Sequence, residues 1–113
     1  MGFQSRSFVV LLACAAALNT GAALAAGAAP KPVIHTVVID GTRFEPATMT
    51  VACGDKVVWV NKDPFPHTAT ANGVFDSRTI AAGKSWKYKA LAAGEHGYIC
   101  ALHPNMKGTL VVR

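Results

Sequence analysis

The chain has 113 residues, with 11 Lys and Arg against 6 Asp and Glu, a formal charge of +5. That length accommodates one modest domain and excludes a cofactor domain joined to a substrate domain. The positive charges are interspersed, as in Lys84, Lys87 and Lys89. This argues against a nucleic-acid binder and leaves a mild preference for acidic protein partners.

In chain order, residues 1–25 read as a cleavable signal peptide. Arg6 charges the start, Phe8 to Leu18 is apolar, and Ala23-Leu24-Ala25 provides a small-residue exit. The eleven apolar residues fall short of the roughly 20 that a membrane span needs. Leu12-Ala13-Cys14 resembles the start of a lipidation box, but the apolar stretch continues past Cys14 and the Ala-x-Ala exit favours simple cleavage. Cleavage after Ala25 leaves 88 residues with a formal +4, and predicts export to the periplasm. Residues 26–32 form a loose leader, and 33–113 the folded domain.

Nothing after residue 30 carries a helical period; the signals are strands and turns. Val33 to Ile39 is a β-branched run closed by Asp40-Gly41. Met49 to Ala52 is a short strand ending at Gly54-Asp55. Lys56 to Val60 is apolar on both faces and reads as a central strand. Two prolines within Lys62 to Pro66 exclude helix and ladder alike. Ser85 to Ala90 alternates cleanly, with Trp86, Tyr88 and Ala90 on one face and Ser85, Lys87 and Lys89 on the other. Tyr98 to Cys100 and Thr109 to Val112 complete the set. Short strands at this spacing predict an all-β antiparallel sandwich or barrel.

Two cysteines, Cys53 and Cys100, remain after cleavage. In an exported chain they pair by default. Alternatively Cys100 ligates a metal and Cys53 stands alone. The surroundings of Cys100 bear on that choice: Cys100, His103 and Met106 follow a strand at three-residue intervals, and His67 lies 33 residues before Cys100 in a Pro-bounded loop. Two imidazoles and a thiolate with a weak axial thioether are the donor set of blue copper. Structural zinc prefers thiolate and imidazole throughout, and a thioether does not suit it. A thiol enzyme is a weaker reading still, because no polar residue is placed to orient a Cys–His pair. Pro104 limits the loop beyond Cys100, and Gly108 is expected to let the chain turn into the last strand.

These segments resemble the cupredoxins, closest to the amicyanin and plastocyanin-like group. The motifs are Phe44-x-Pro46, Val51 to Asn61, Pro66-His67-Thr68, Phe75-Asp76-Ser77, Gly83, and Cys100-x2-His103-Pro104-x-Met106-x-Gly108. The resemblance implies a Greek-key β-sandwich with one type 1 copper ion near one end, held by His67, Cys100, His103 and Met106. It implies electron exchange at the edge of His103, within an apolar patch for which Pro64, Phe65, Pro66, Leu102 and Pro104 are the candidates. The partners would be a dehydrogenase, cytochrome or oxidase docking transiently on a monomer; amicyanins serve an amine dehydrogenase. Three positions depart from the family pattern. Thr68 stands where many members have an Asn that ties the ligand loops together. His96 and Gly97 replace the usual run into the cysteine, and Cys53 is an extra thiol.

His96 shares a strand face with Cys100, but four residues at ~3.3 Å separate their Cα atoms by about 13 Å, too far for a common metal. A hydrogen-bonded, inward-facing role suits it better. His35 has no co-ligand nearby. Four protein donors leave no open metal position, so an electron carrier is expected rather than an enzyme. The other reading is a periplasmic copper-delivery protein, which methionine- and histidine-rich runs would favour; the chain has none beyond the site.

Overall fold

The computed structural model describes residues 13–14 and 31–113. The signal-peptide and leader expectations therefore fall almost entirely outside the described residues. Nine strands follow in order: β1 (Ile34–Asp40), β2 (Arg43–Glu45), β3 (Thr48–Val51), β4 (Lys56–Asn61), β5 (Thr70–Ala71), β6 (Phe75–Asp76), β7 (Ser85–Lys89), β8 (Gly94–Cys100) and β9 (His103–Val112).

They form two sheets, β2-β1-β4-β7 and β3-β9-β8-β5-β6, and no helix occurs among the described residues. The expected all-β sandwich is present. The expectation of purely antiparallel strands needs correction, because β1 pairs with β4 in parallel, Val37 beside Trp59, and β3 pairs with β9 in parallel. Both parallel pairs join strands that are not linked by a tight hairpin, so the chain crosses between sheets and returns in the same direction. The alternation within a strand carries no record of that choice.

The alternation does fix which side chains face inward. Val57, Trp59 and Asn61 of β4 are buried while Lys56, Val58 and Val60 are half-buried on the outer face. Trp59 sits at the centre, its ring 5.3 Å from Phe75, 5.5 Å from Trp86 and 5.5 Å from Tyr98, the last at 90°. Edge-to-face packing of this kind contributes about 0.5–1.5 kcal/mol per pair beyond area burial. Burial pushes the Tyr98 hydroxyl up to about 12, so it stays neutral at any physiological pH.

Gly108 differs from expectation. It lies inside β9 opposite Tyr98, not at a turn. A Cβ there would fall 2.3 Å from Tyr98 Cζ, and that ring is buried. The missing side chain is what allows Tyr98 to lie across the last strand.

Cys53 is joined to Cys14 in the full-length chain, within the segment read as a signal; the free thiol expected for Cys53 refers to the chain cleaved after Ala25, which lacks Cys14. The Cys14 N–H donates to Leu91 O at 2.7 Å, and Ala13 bridges Ala92, which brings the two sulfurs together beside the Ala52–Asp55 turn. Cys100 is the free cysteine among the described residues.

Candidate metal centre

The site forms where three segments meet at one end of the sandwich. β8 ends at Cys100, a two-residue turn of Ala101 and Leu102 follows, and His103 opens β9 opposite Cys100. The ligand loop is thus a tight hairpin, with a register irregularity between Ile99 and Cys100. His67 comes from the loop after β4. It is anchored by two backbone bonds: its N–H donates to Ile80 O at 3.1 Å and its carbonyl accepts from Ile80 N at 2.7 Å.

Cys100 Sγ lies 3.5 Å from His67 Nδ1 and 3.9 Å from His103 Nδ1. All three donor atoms fall within 4.8 Å of one another. Metal bonds of about 2.3 Å to sulfur and 2.0 Å to nitrogen at 120° would put those donors about 3.7 Å apart. The three atoms are therefore spaced for a trigonal metal ion, and a soft thiolate with two imidazoles suits copper. Met106 is buried on β9 and lines one wall of a cleft with His103, Pro104 and Thr42. Among the described residues, His67, Cys100 and His103 are the one such group of metal-binding side chains.

The two imidazoles are held differently. His67 is fully buried, and its Nε2–H donates to Asp63 Oδ2 at 2.7 Å. Burial pushes the Asp63 carboxyl up, but N–H donors from Thr42 and Gly41 and the His67 ring outweigh that and hold it below the usual carboxylate range. An ionised carboxylate can only accept. The His67 proton must then sit on Nε2, leaving a bare Nδ1 lone pair aimed at the centre.

Asp63 is itself positioned by a strained turn. Gly41 and Thr42 both have positive φ, 59° and 56°, the signature of a two-residue hairpin turn between β1 and β2. A β-branched residue is uncommon there. The turn aims both amides at Asp63, Gly41 N at 2.7 Å and Thr42 N at 2.9 Å. Asn61 completes the support: its Nδ2 donates to Phe65 O and Ile80 O, each at 2.9 Å, and its Oδ1 accepts from Asp63 N. The sequence reading missed Asn61 and Asp63, although Asp63 lies four residues before a candidate ligand.

Thr68 links the two ligand loops, as its hydroxyl and amide were expected to do. Its N–H donates to Cys100 Sγ at 3.3 Å, and its Oγ1 accepts from Ala101 N at 2.8 Å. Hydrogen bonding at the cysteine sulfur is one of the levers on a blue-copper potential. Phe65 covers both imidazoles from outside, its centroid 5.2 Å from His67 and 5.9 Å from His103. Phe65 is 41% exposed and Leu102 51%, with Pro64, Pro66 and Pro104 also exposed, so the expected apolar patch surrounds His103.

The remaining histidines stand apart. His96 Nε2–H donates to Ala92 O at 2.8 Å, a local bond within its own strand entry. His35 Nε2 pairs with Asp55 Oδ2 at 2.9 Å. Neither joins the metal group.

The chain belongs to the family of cupredoxin-like domains, whose model matches residues 8–112. The family is one of copper-binding electron-transfer proteins. The chain is 32% identical to amicyanin-alpha of Methylorubrum extorquens over 111 residues, covering 88% of this chain and 93% of the relative. It is 36% identical to a chloroplastic plastocyanin of Tetradesmus obliquus, covering 62% of this chain and spanning only 58% of that protein. Among solved structures, a copper-containing nitrite reductase from Thermus scotoductus SA-01 superposes with a TM-score of 0.68 and 30% identity, over 80% of this chain and 25% of that one.

Proposed function

We propose that this protein is a periplasmic electron carrier, not an enzyme, and that His67, Cys100, His103 and Met106 hold its single copper ion. The observation that carries the reading is the trigonal spacing of His67 Nδ1, Cys100 Sγ and His103 Nδ1. Copper would supply a one-electron couple between Cu(II) and Cu(I). The protein's part is to hold the donors still. Cys100 ends a paired strand, and His67 is fixed by Asp63 and by the Ile80 bridge, so little moves when the charge changes. Four protein donors leave no position for a substrate. Electrons would pass at the exposed His103, where the apolar patch suits brief contact with a dehydrogenase, cytochrome or oxidase. A monomer meets this requirement. Full burial of His67 and Cys100 favours this over copper delivery, because a cargo ion needs ligands that open readily.

Among the described residues no helix is long and apolar enough to cross a membrane. Export with cleavage after Ala25 would remove Cys14 and leave Cys53 as a free thiol, which the intact mass of the exported protein measures. Cu(II) added to the purified protein should bind one per chain and give an intense visible charge-transfer band. Cys100→Ser should abolish that band while the fold survives. A colourless wild-type complex, or a blue Cys100→Ser variant, would overturn the assignment.

A further inference from the structure

The outer face of the β2-β1-β4-β7 sheet carries a positive charge that the electron-carrier reading leaves unassigned. On the edge strand β7, Ser85, Lys87 and Lys89 point outward and all are exposed. On β4, Lys56, Val58 and Val60 share that face. The antiparallel register sets Lys56 directly opposite Lys89 and Lys87 opposite Val58. Like charges placed directly across a strand pair are destabilising. Among the described residues none of these lysines has a carboxylate within ion-pair distance; the ion pairs are His35–Asp55, His67–Asp63 and Arg78–Asp76. The acidic residues on the same sheet face are Asp40 and Glu45. They lie on β1 and β2, at least two strand spacings or about 9.6 Å from β7, and Arg43 stands opposite Asp40. That separation exceeds the Debye length of about 8 Å at physiological salt. The positive charge of Lys87 and Lys89 on β7 is therefore not cancelled by those two carboxylates, and Asp55, which adjoins Lys56 in the chain, is taken up by His35.

The basic strip also reaches the copper end. Lys84, exposed just before β7, accepts the Asn61 N–H at its carbonyl (2.9 Å), and Asn61 in turn donates to Phe65 O. The strip thus runs from beside the apolar patch down the flank of the sheet, Lys84, Lys87, Lys89 and Lys56.

We propose that this lysine strip is a docking surface for an acidic redox partner, a protein whose carboxylates flank its electron-exchange site. The proposal rests on the electron-carrier reading and names the chemistry of the partner. Contact would place apolar surface over His103 and carboxylates along β7, so that charge steers the encounter and the apolar patch sets the final contact. Lysines on an edge strand also discourage sheet-to-sheet aggregation. Charge reversal separates the two roles, because Glu protects an edge as well as Lys does.

The test uses the full-length Cu(I) protein and a deca-aspartate peptide as the acidic probe, followed by amide chemical shifts. Shifts should cluster on β7 and β4 and at Lys84. Lys87→Glu/Lys89→Glu should remain soluble and folded, and should weaken the peptide more than tenfold. Arg78→Glu/Arg113→Glu, with the same change in net charge off the strip, should weaken it less than twofold. Equal weakening in both double variants, shifts spread over the whole surface, or tighter binding to phosphatidylglycerol vesicles than to the peptide would overturn the proposal. The visible band is read in parallel on the same protein in its Cu(II) form: its absence from the wild-type protein bears on the copper reading, and its presence with indiscriminate peptide binding defeats the docking surface alone.

Discussion

His67 and His103 supply the same kind of nitrogen to the same point, yet their surroundings are opposite. His67 has none of its surface exposed, its distal nitrogen is bound to a carboxylate, and its backbone is bridged to Ile80. His103 stands exposed on a hairpin tip, and among the described residues nothing hydrogen-bonds its Nε2. Phe65 touches both rings and screens only the inner one fully. One imidazole is thus part of the protein's framework and the other part of its surface. A carrier needs both: a rigid donor to limit rearrangement, and an edge through which a partner can reach the metal.

Removing each ring in turn should break the symmetry most visibly. His103→Gly opens a hole at the surface, so added imidazole should restore the blue band. His67→Gly removes one of the three donors to the buried Asp63 carboxylate, at a cost of about 1.5–3 kcal/mol for a hydrogen bond to a charged group, and empties a site closed to solvent. Imidazole should not rescue it. Copper titration with and without imidazole measures both, and equal rescue would erase the distinction.

Asp63→Asn is expected to have the next largest effect. The amide could meet Nε2 through its oxygen but would face the Gly41 and Thr42 amides with one acceptor fewer. Loss of such an orienting carboxylate typically reduces metal affinity about 10–100-fold. Competition against a copper chelator reads this directly, and unchanged affinity would mean that packing alone orients His67.

The contrast can be sharpened with pH. A proton competes with Cu(I) for the exposed imidazole, and protonation stabilises only the reduced state. The reduction potential should therefore rise as pH falls, with a limiting slope of about 59 mV per pH unit for one proton and one electron. Voltammetry from neutral to acid pH checks this. A flat potential down to acid unfolding would mean that His103 is held as firmly as His67.

The smallest effect on the metal should come from the opposite pole. Val33 N–H, His35 and the Ala52 N–H hold Asp55 below the usual carboxylate range, against the opposing effect of burial. A lowered pKa stabilises the fold above the unfolded value of about 3.9, and the contribution is lost as pH falls through the folded value. Asp55→Asn should therefore be less stable than wild type at neutral pH, with the gap closing below about pH 4. Denaturant titrations at both pH values test this. The blue band should be unchanged in Asp55→Asn, and likewise in His96→Phe and His35→Gln.

The sequence alone brought the candidate donors into view: Cys100, His103 and Met106 lie close together in the chain just after a strand end. His67 was legible from its Pro-bounded loop, and the inward and outward faces of β4 and β7 from their alternation. Tertiary structure decided the rest. A period of two tells a strand's faces but not its neighbour or its direction, so the parallel pairs β1–β4 and β3–β9 left no local trace. Asp63 looked like a loop carboxylate until the Gly41-Thr42 turn, twenty-one residues away, was folded against it. Gly108 looked like a hinge until β8 laid the Tyr98 ring over it. In the full-length chain Cys53 meets Cys14 only because Cys14 lies alongside Leu91. In each case the deciding contact is between residues distant in sequence, and its energy depends on packing that no local pattern encodes.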